Sequence, residues 1–458
     1  MKNFYLLFFA FACLLSCEQQ EPVTTIDPAT TRPDDDHFLQ RAWPDGEISY
    51  RTYTQGLKKA KQQALEKGTV AGFDQEWRTA GPANIGARIN TVAVHPENDN
   101  IMFAGFSRGG VWRTTNGGQS WSPVFDDQLF LSIGDITFDP SNPNTIYVGT
   151  GDPNISASFM IGDGIYRSTD GGDTWENIGL GDLNIITQIR VHPTDPNTIY
   201  AAAMGVPFER DDERGLYRTT DGGASWQQIL FVSNQSGIID MVMDHTDPSV
   251  LYVSAWDRIR NNQESTVSGP NAKIFKTNNG GDDWQQLTNG LPDDEQGRIG
   301  LAIAPTNAQH LYACYVGTNS RLYEIFESLD GGASWEAVLN PESFNPISDT
   351  PLGGFGWYFG KIRVNPTDEN DIYLLGVDMW RSRDAGENWE MATPPWWEYS
   401  VHADKHDLIW NAQGEALLAT DGGLYKGTND MQNWEDIENI PCTQFYRIAL
   451  NPHLPKNY

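Results

Sequence analysis

Ser168-Thr169-Asp170-Gly171-Gly172-Asp173-Thr174-Trp175 is the clearest copy of a phrase, Ser/Thr-x-Asp/Asn-x-Gly-x-x-Trp, that the chain spells in seven variants. The tryptophans that end the copies fall 45 to 58 residues apart, at Trp121, Trp175, Trp226, Trp284, Trp335, Trp389 and Trp434. Within each copy the Asp or Asn side chain and the hydroxyl can accept N–H groups of a tight turn, and glycine supplies positive φ. A repeat of this period predicts an array of similar structural units. We interpret the phrase as a folding device and not as a catalytic motif.

Short strand patterns surround every copy. Each repeat has an innermost, a second and a third strand, and a fourth strand opens at the tryptophan. Examples from different repeats are 188–193 for the innermost strand, 145–149 for the second and 215–219 for the third. Four strands per repeat are typical of a propeller blade, and the phrase resembles the Asp-box, or BNR repeat. Counting innermost strands from Ile89 predicts an all-β fold: a seven-bladed β-propeller over residues 73–440, with four-stranded antiparallel blades and Asp-box turns, preceded by a short helix.

The ends of the propeller leave a question of ring closure. An eighth strand of the innermost type, 445–452, lies in the last segment, 441–458. It could close the ring or open a second propeller that this chain lacks. Alternatively, 76–82 precedes the first blade and could supply a missing outer strand. We favour this last interpretation, together with the hypothesis that the chain is a shortened version of a longer protein.

The N-terminal residues predict export. Residues 1–16 contain Lys2 followed by an apolar run, which is typical of a secretion signal. The run is too short to span a bilayer stably. The tetrapeptide that ends at Cys17 resembles the bacterial lipobox, which implies a lipidated cysteine as membrane anchor. A tether (17–45) and a helical segment (46–72, with one lysine-rich helix from Thr52 to Gly68) follow. This resembles an outer-membrane lipoprotein of a Gram-negative bacterium that faces the periplasm or the cell surface and meets the membrane through its lipid anchor only.

The charge balance narrows the classes of partner. The chain carries 61 acidic and 31 basic residues, a formal net charge of -30. Nucleic acid and anionic lipid are therefore poor partners, whereas such acidity could attract Ca²⁺. Cys314 and Cys442 lie in different predicted blades, so we expect no disulfide between them and no cysteine-based metal site.

Most of the irregular insertions fall in second-to-third loops and blade-to-blade crossings, which lie on the face opposite the Asp-boxes. A rigid scaffold with variation on one rim is typical of a binding surface. Flat aromatic side chains on that rim could stack on sugar rings, so we predict a glycan-binding platform. Its predicted residues are Trp256, Trp357, Tyr358, Trp396, Trp397 and Tyr399. The alternative is that these rings pack between blades.

The segment 401–408 concentrates polar chemistry on the same face. In an extended strand His402, Asp404 and His406 would point the same way, with Asp421 nearby. Two imidazoles and a carboxylate could hold a divalent cation, Ca²⁺ or Zn²⁺, or could tune a proton-transferring carboxylate. They could equally form a structural polar network, and the three interpretations stay open. As catalytic carboxylates we predict Asp404, Asp421 and Asp378. Asp378 of blade six and Asp421 of blade seven occupy equivalent turns.

The blades, the 149–154 turn and the pairing of His402-x-Asp404-x-His406 with Asp421-Gly422-Gly423 resemble exported bacterial Asp-box propellers, a group described as glycosyl-hydrolase-like or sortilin-like. The fold of this group serves several functions. Sialidases resemble one another in an Arg-Ile-Pro segment. Here Asn90 follows Ile89 in place of the proline, so the sequence does not favour a sialidase. Xyloglucan-active hydrolases resemble one another in having two tandem propellers, each of which supplies one catalytic Asp. At the first-blade position where such an Asp would precede a Gly-Gly pair, this chain has Ser107-Arg108-Gly109-Gly110 and no Asp.

Three hypotheses follow from the sequence. The first is a glycoside-hydrolase-like protein that acts on polysaccharide through rim carboxylates. The second is a non-catalytic, sortilin-like surface lipoprotein that binds glycan or peptide for an uptake or assembly complex of the outer membrane. The third is a structural domain completed by a partner. A hydrolase needs two rim carboxylates about 5–10 Å apart, one of them with a raised pKa.

Overall fold

The computed structural model of the protein describes residues 50–67, 86–156, 160–261, 264–339 and 351–443. The chain divides into two compact units, Met1–Tyr53 and Thr54–Tyr458, and the propeller lies in the second. Helix α1 (Tyr50–Lys67) matches the predicted lysine-rich helix. Across the described ranges, no helix combines the length and the apolar content that crossing a bilayer requires. Cys17, the signal and tether segments, 76–82 and 445–452 lie outside the described residues.

Seven four-stranded antiparallel sheets follow one another along the chain, each with its strands in sequence order. The first three blades comprise β1 (Ile89–His95), β2 (Asn98–Phe106), β3 (Val111–Thr114) and β4 (Ser122–Pro123); β5 (Ile133–Phe138), β6 (Ile146–Thr150), β7 (Ile165–Ser168) and β8 (Glu176–Gly179); and β9 (Ile186–Val191), β10 (Ile199–Ala203), β11 (Gly215–Thr219) and β12 (Gln227–Leu230). The predicted fold class, a seven-bladed propeller, is confirmed.

Blade four comprises β13 (Ser236–Met243), β14 (Leu251–Asp257), β17 (Ile274–Thr277) and β18 (Gln285–Gln286), and its long loop forms the two-stranded sheet β15 (Ile259–Arg260) and β16 (Ser265–Thr266). Blades five to seven comprise β19 (Ile299–Ala304), β20 (Asn307–Val316), β21 (Leu322–Ser328) and β22 (Glu336–Ala337); β23 (Lys361–Asn365), β24 (Asp368–Leu375), β25 (Met379–Ser382) and β26 (Glu390–Met391); and β27 (Lys405–Trp410), β28 (Ala416–Thr420), β29 (Gly423–Thr428) and β30 (Asn433–Asp436). A short 3-10 helix, Trp396–Glu398, lies in the crossing from blade six to blade seven.

The hydrophobic core is divided among the junctions between blades. Between blades one and two, for example, Phe103 and Ile133 belong to the same buried cluster. At the junction of blades seven and one, Ile89 packs in a cluster with Leu417 and Leu424. Blade seven has its own outer strand, β30, and each of the seven described blades has four strands, while the prediction for 76–82 falls outside the described residues. Apolar packing between the faces of blades seven and one closes the ring.

Side chains of the innermost strands link neighbouring blades around the central axis. Three buried or half-buried carboxylates accept a backbone N–H from the innermost strand of the following blade: Asp135 from Ile189 at 2.7 Å, Asp240 from Leu301 at 3.0 Å and Asp407 from Val92 at 3.4 Å. The innermost strand bulges just before each of these carboxylates, which redirects the side chain. A cavity of about 320 Å³ runs along the axis between these strands.

The Asp-box turns have the hydrogen bonds that their composition predicts. In the second blade, Ser168 Oγ accepts the N–H of Gly172 at 2.8 Å, and Asp170 Oδ1 accepts the N–H of Thr174 at 2.9 Å. The Thr174 hydroxyl donates to Asp170 Oδ2 at 2.6 Å. The hydrogen bonds from Thr174 are the main reason that the pKa of Asp170 falls to about 2. The carboxylate therefore stabilises its own turn, which supports the structural interpretation of the phrase.

In three of the seven copies, those ending at Trp175, Trp226 and Trp434, the tryptophan donates its indole N–H to the preceding blade. The indole N–H of Trp175 donates to the carbonyl of Val124 at 2.8 Å, and that of Trp226 donates to the carbonyl of Ile178 at 2.8 Å. The seventh copy lacks glycine and instead holds three non-glycine residues at positive φ, Asn429, Asp430 and Met431. Conformations of that kind cost free energy in residues other than glycine, so the last turn is the least favourable of the seven.

Two neighbouring glycines of the second Asp-box give a matched test of this turn. Gly171 and Gly172 both have positive φ, 74° and 92°, but a Cβ at Gly171 meets nothing within 4 Å whereas one at Gly172 lies 2.8 Å from Phe103 Cε1. We expect Gly172→Ala to lower the free energy of unfolding by about 1–3 kcal/mol more than Gly171→Ala does, because it adds a steric clash in the core. Urea titration of both variants measures the difference. Equal losses would show that the core absorbs the extra methyl group.

Candidate functional site

Two aspartates of blade seven, Asp404 and Asp421, are joined through their backbones on the face opposite the Asp-boxes. Asp421 occupies the turn between β28 and β29, and Asp404 immediately precedes β27 with a left-handed φ of 66°. The backbone N–H of Asp421 donates to the carbonyl of Asp404 at 3.1 Å, which fixes the two residues against each other. A non-glycine residue at positive φ is uncommon and is often found at functional sites.

Asp421 is held in its ionised form. His406 Nε2 lies 2.6 Å from its Oδ1, Arg88 Nε lies 3.4 Å from the same oxygen, and the Tyr358 hydroxyl lies 3.4 Å and 3.5 Å from its two oxygens. Burial alone would raise the pKa of Asp421, but the hydrogen bond from His406 and the charge of Arg88 outweigh it and lower the pKa. This carboxylate is therefore an anion over the physiological pH range.

Asp404 has the opposite electrostatics. Burial, and then the negative charge of Asp421, raise the pKa of Asp404 above its ordinary value. Its neighbour in the chain, Lys405, is buried and donates to the carbonyls of Val377 and His402 at 3.1 and 2.7 Å. Two adjacent carboxyl groups with pKa values shifted in opposite directions are suited to one proton donor and one proton acceptor.

Asp378, the third predicted catalytic carboxylate, anchors a loop. Its Oδ1 accepts the backbone N–H of Trp396 at 2.9 Å, at the start of the 3-10 helix Trp396–Glu398. The side chain is buried, and burial raises its pKa against the opposing charge of Lys405. The carboxylate thus positions the loop that carries the exposed tryptophans.

Removal of that carboxylate should loosen the loop. We expect Asp378→Ala to increase the amide hydrogen exchange rate of Trp396 about tenfold, because the lost hydrogen bond contributes on the order of 1–1.5 kcal/mol. Hydrogen exchange read out by mass spectrometry on a peptide that spans 393–400 measures the rate. Asp378→Asn keeps an oxygen acceptor and serves as the control. Unchanged exchange in the alanine variant would show that other contacts hold the loop.

The structure divides the six predicted aromatic residues into three groups. Trp396, Trp397 and Tyr399 are exposed, at 46, 50 and 82% of their surface. Trp357 and Tyr358 are half-buried, and the guanidinium groups of Arg258 and Arg88 lie 5.3 Å from their respective ring centres. Trp256 is completely buried and donates its indole N–H to Val267, so it presents no face to a ligand from solvent. The prediction that Trp256 belongs to an exposed platform is therefore wrong.

The predicted row of His402, Asp404 and His406 does not form a regular strand edge. Strand β27 begins only at Lys405, and the left-handed conformation of Asp404 interrupts the alternation on which the prediction depended. His402 is exposed, and both ring nitrogens of His406 lie near protein partners, Asn154 and Asp421. Within the described ranges, no three His, Cys, Asp or Glu side chains are grouped so as to hold a metal ion.

Several residues that organise the site were missed from the sequence. Asp152 is buried and accepts hydrogen bonds from Arg88 at 3.2 Å and Ser107 at 2.9 Å. Asn154, two residues later, contacts His406 and Arg298. The available signal was the Asp-Pro-Asn turn within a long insertion, since polar residues that initiate turns can also reach across the axis.

Comparisons with known proteins agree with this architecture. Residues 163–299 match the Sortilin-Vps10 family, described as sortilin, neurotensin receptor 3. The chain is similar to a xyloglucanase of Paenibacillus sp., 21% identical over 433 residues that cover 80% of this chain and 40% of that protein. It is also similar to a xyloglucanase of Acetivibrio thermocellus, 20% identical over 382 residues that cover 75% of this chain and 42% of that protein. The chain thus spans about two fifths of the length of these relatives.

A sortilin of Danio rerio is 26% identical over 122 residues, which cover 26% of this chain and 13% of that protein. Among solved structures, the crystal structure of an ancestral GH74 enzyme superposes with a TM-score of 0.58 at 18% identity, and the match covers 78% of this chain and 47% of that chain. That likeness shows the fold alone. Together, the seven four-stranded blades, the Asp-box turns and these similarities support a β-propeller of the BNR/Asp-box type.

Proposed function

We propose that the protein is a glycoside-hydrolase-like propeller that acts on polysaccharide at the face opposite its Asp-boxes. One observation carries the proposal: Asp404 and Asp421 are adjacent, and their environments shift their pKa values in opposite directions. Glycoside hydrolysis needs a protonated carboxyl group to donate to the leaving oxygen and an ionised one to act as base or nucleophile. Asp404 is suited to the first role and Asp421 to the second.

The surroundings of the pair favour a carbohydrate ligand. Trp396, Trp397 and Tyr399 lie exposed in the crossing that leads to Asp404, where their rings can stack on the apolar faces of sugars. The relatives named xyloglucanase act, by their names, on xyloglucan. Xyloglucan and other glucose-based plant polysaccharides are therefore the first substrates to test.

A second candidate is a non-catalytic, sortilin-like protein that captures glycan or peptide for an outer-membrane uptake or assembly complex. The observation that favours it is the engagement of Asp421 by His406, Arg88 and Tyr358, which is also what a structural counter-ion requires. The match of 163–299 to the sortilin family points the same way. In this case the aromatic residues alone would carry the function.

We further propose that the protein is exported and anchored through lipidated Cys17, as in outer-membrane lipoproteins of Gram-negative bacteria. The support is the apolar N-terminal run followed by Leu14-Leu15-Ser16-Cys17. Metabolic labelling with a fatty acid tests this directly. Incorporation that is lost in Cys17→Ala supports lipidation, and equal labelling of both forms would refute it.

The experiment that tests the catalytic proposal is a panel of polysaccharides incubated with the full-length chain in detergent and scored for bound protein and for released reducing ends. Release supports the hydrolase, whereas binding without release supports the capture protein. Trp396→Ala with Trp397→Ala, in a protein that stays folded, should weaken binding. A parallel series with EDTA and with re-added Ca²⁺ or Zn²⁺ tests the predicted divalent cation.

A further inference from the structure

A continuous chain of hydrogen bonds through buried side chains leads from Ile133 of blade two, by way of Asn90 of blade one, to the carboxylate of Asp421 in blade seven. The side-chain amide of Asn90 donates to the carbonyl of Ile133 at 2.9 Å. Asn154 Nδ2 donates to Asn90 Oδ1 at 3.2 Å and lies 3.4 Å from His406 Nδ1. His406 Nε2 in turn lies 2.6 Å from Asp421 Oδ1. Asn90, Asn154 and His406 are each no more than 2% exposed.

The partners of Asn154 fix the direction of these hydrogen bonds. The carbonyl of Ile133 can only accept, so Asn90 must turn its amide NH₂ toward it and its oxygen toward Asn154. Arg298 NH1 can only donate, and it lies 3.3 Å from the Asn154 oxygen. Both contacts require the NH₂ group of Asn154 to face Asn90 and His406, and a flipped amide would place donor against donor at Arg298.

From this we infer that Asn154 is a positioning residue that, together with the ionised Asp421, keeps His406 in the tautomer with its proton on Nε2. Because Asn154 presents a donor, Nδ1 of His406 must act as the acceptor, and Nε2 is left to donate to Asp421. The inference rests on the proposed function only where it concerns catalysis. The tautomer itself follows from the hydrogen bonds alone.

The consequence for Asp421 is that its two oxygens are made unequal. His406 and Arg88 both approach Oδ1, at 2.6 and 3.4 Å, whereas Oδ2 is contacted by the Tyr358 hydroxyl at 3.5 Å. The lone pairs of Oδ2 are thus the less engaged ones. In the proposed reaction, Oδ2 is the oxygen that acts on water or on the sugar.

The backbone next to Asn154 is held in an unfavourable conformation. Ile155 has a positive φ of 47°, which is rare for a β-branched residue, and its carbonyl accepts a hydrogen bond from Arg258 NH2 at 2.7 Å. Such strain persists only where surrounding contacts over-determine the conformation. The contacts of 152–155 with Arg88, Arg258 and Arg298 supply that restraint and keep the amide of Asn154 against His406.

The test is to read the tautomer of His406 by ¹⁵N and ¹³C NMR of histidine-labelled, full-length protein. The chain has eight histidines, and the signal of His406 is identified by its loss in His406→Gln. We expect Nδ1 to be unprotonated and Nε2 protonated in the wild type. Asn154→Asp replaces the donor by an acceptor, so we expect Nδ1 to become protonated. Because the new carboxylate faces Arg298, the variant gains a charge partner and should fold.

Asn177→Asp makes the same chemical change in the same blade, where the side chain donates to the carbonyl of Asp163 and not to a histidine, and it should leave the His406 signal unchanged. A wild-type protein with Nδ1 protonated, or an unaltered tautomer in Asn154→Asp, would overturn the inference.

Hydrolysis provides an independent second measurement. If the wild type releases reducing ends, we expect Asn154→Asp to lower kcat about 10- to 100-fold with little change in KM, because the variant changes the hydrogen bonding of His406 beside Asp421 and leaves the binding surface intact. An unchanged kcat would overturn the positioning role. If the wild type releases none, the proposed function fails, and the NMR result alone decides the tautomer.

Discussion

Asp421→Asn and Asp404→Asn are each expected to lower kcat for polysaccharide hydrolysis by about 10²–10⁴-fold, the range that a positioned acid or base contributes. Asparagine is nearly isosteric with aspartate, so the change removes the charge of Asp421 or the acidic proton of Asp404 and leaves the packing almost unchanged. Initial rates of reducing-end release, with near-ultraviolet circular dichroism as the check on folding, measure the effect. Wild-type rates in either variant would exclude that residue from catalysis.

The two roles can be separated with substrates that carry a good leaving group. An aryl glycoside with an acidic phenol departs without protonation, so Asp404→Asn should keep most of its activity on such a substrate. Asp421→Asn should remain inactive on it, because the base or nucleophile is still missing. The opposite outcome would exchange the assignments of the two carboxylates.

The pH dependence of the wild type follows from the two shifts. Asp404 is competent as an acid only while protonated, so activity is lost as pH rises through its pKa, which lies above the ordinary 3.8. Asp421 is competent only while ionised, so activity is lost as pH falls through its pKa, which lies below 3.8. The profile of kcat/KM should be bell-shaped, with its alkaline limb due to Asp404.

The same shifts predict opposite effects on stability. A carboxyl group whose pKa is raised on folding loses protons less readily in the native state, so its ionisation destabilises the fold as pH rises. Asp404→Asn should therefore raise the Tm at neutral pH. Asp421 has a lowered pKa and stabilises the fold above the unfolded value, so Asp421→Asn should lower the Tm. Equal activity losses with opposite Tm shifts would distinguish a functional pair from a merely structural network.

The fold was predictable because its determinants are local. Each Asp-box closes its turn with its own side chains, as Ser168 and Asp170 do, and the period of the tryptophans counts the blades. The junction of blades seven and one could not be assigned from the sequence, because it depends on apolar contacts between Ile89 and Leu417, more than 300 residues apart, which leave no periodic signal.

The candidate site was predictable only in part. Asp404 and Asp421 could be named because they border strands on the variable face. Their opposite electrostatics depend on Arg88, from blade one, and on His406, whose partner Asn154 comes from blade two. Trp256 was misplaced because an aromatic residue at a strand end looks the same in the sequence whether its loop exposes it or covers it. The pattern of residues within one strand does not indicate which residues of other blades it contacts, so these contacts could not be predicted.

The largest expected loss of stability comes from a buried ion pair on the Asp-box side of blade six. Arg381 Nε and NH2 each donate to one oxygen of Asp371 at 2.7 Å, and both side chains are 4% exposed. Burial would lower the pKa of Arg381, but its bonds to Asp371 outweigh burial and raise it. We expect Asp371→Ala to lower the free energy of unfolding by about 3–5 kcal/mol, because the buried guanidinium of Arg381 loses one of the two carboxylates that it contacts, Asp371 and Asp430.

The neighbouring ion pair of Arg383 with Glu390, at 3.2 Å, offers the control, since these side chains are 51 and 63% exposed. Glu390→Ala should cost no more than about 1 kcal/mol, because water screens the charges and replaces the lost contact. Guanidinium chloride would itself screen the charges, so urea titrations of both variants make the comparison. Similar losses in the two variants would mean that water reaches Arg381 in solution. A loss confined to Asp371→Ala would instead show that Arg381, which also contacts Asp430 of blade seven at 2.7 Å, helps to hold blades six and seven together.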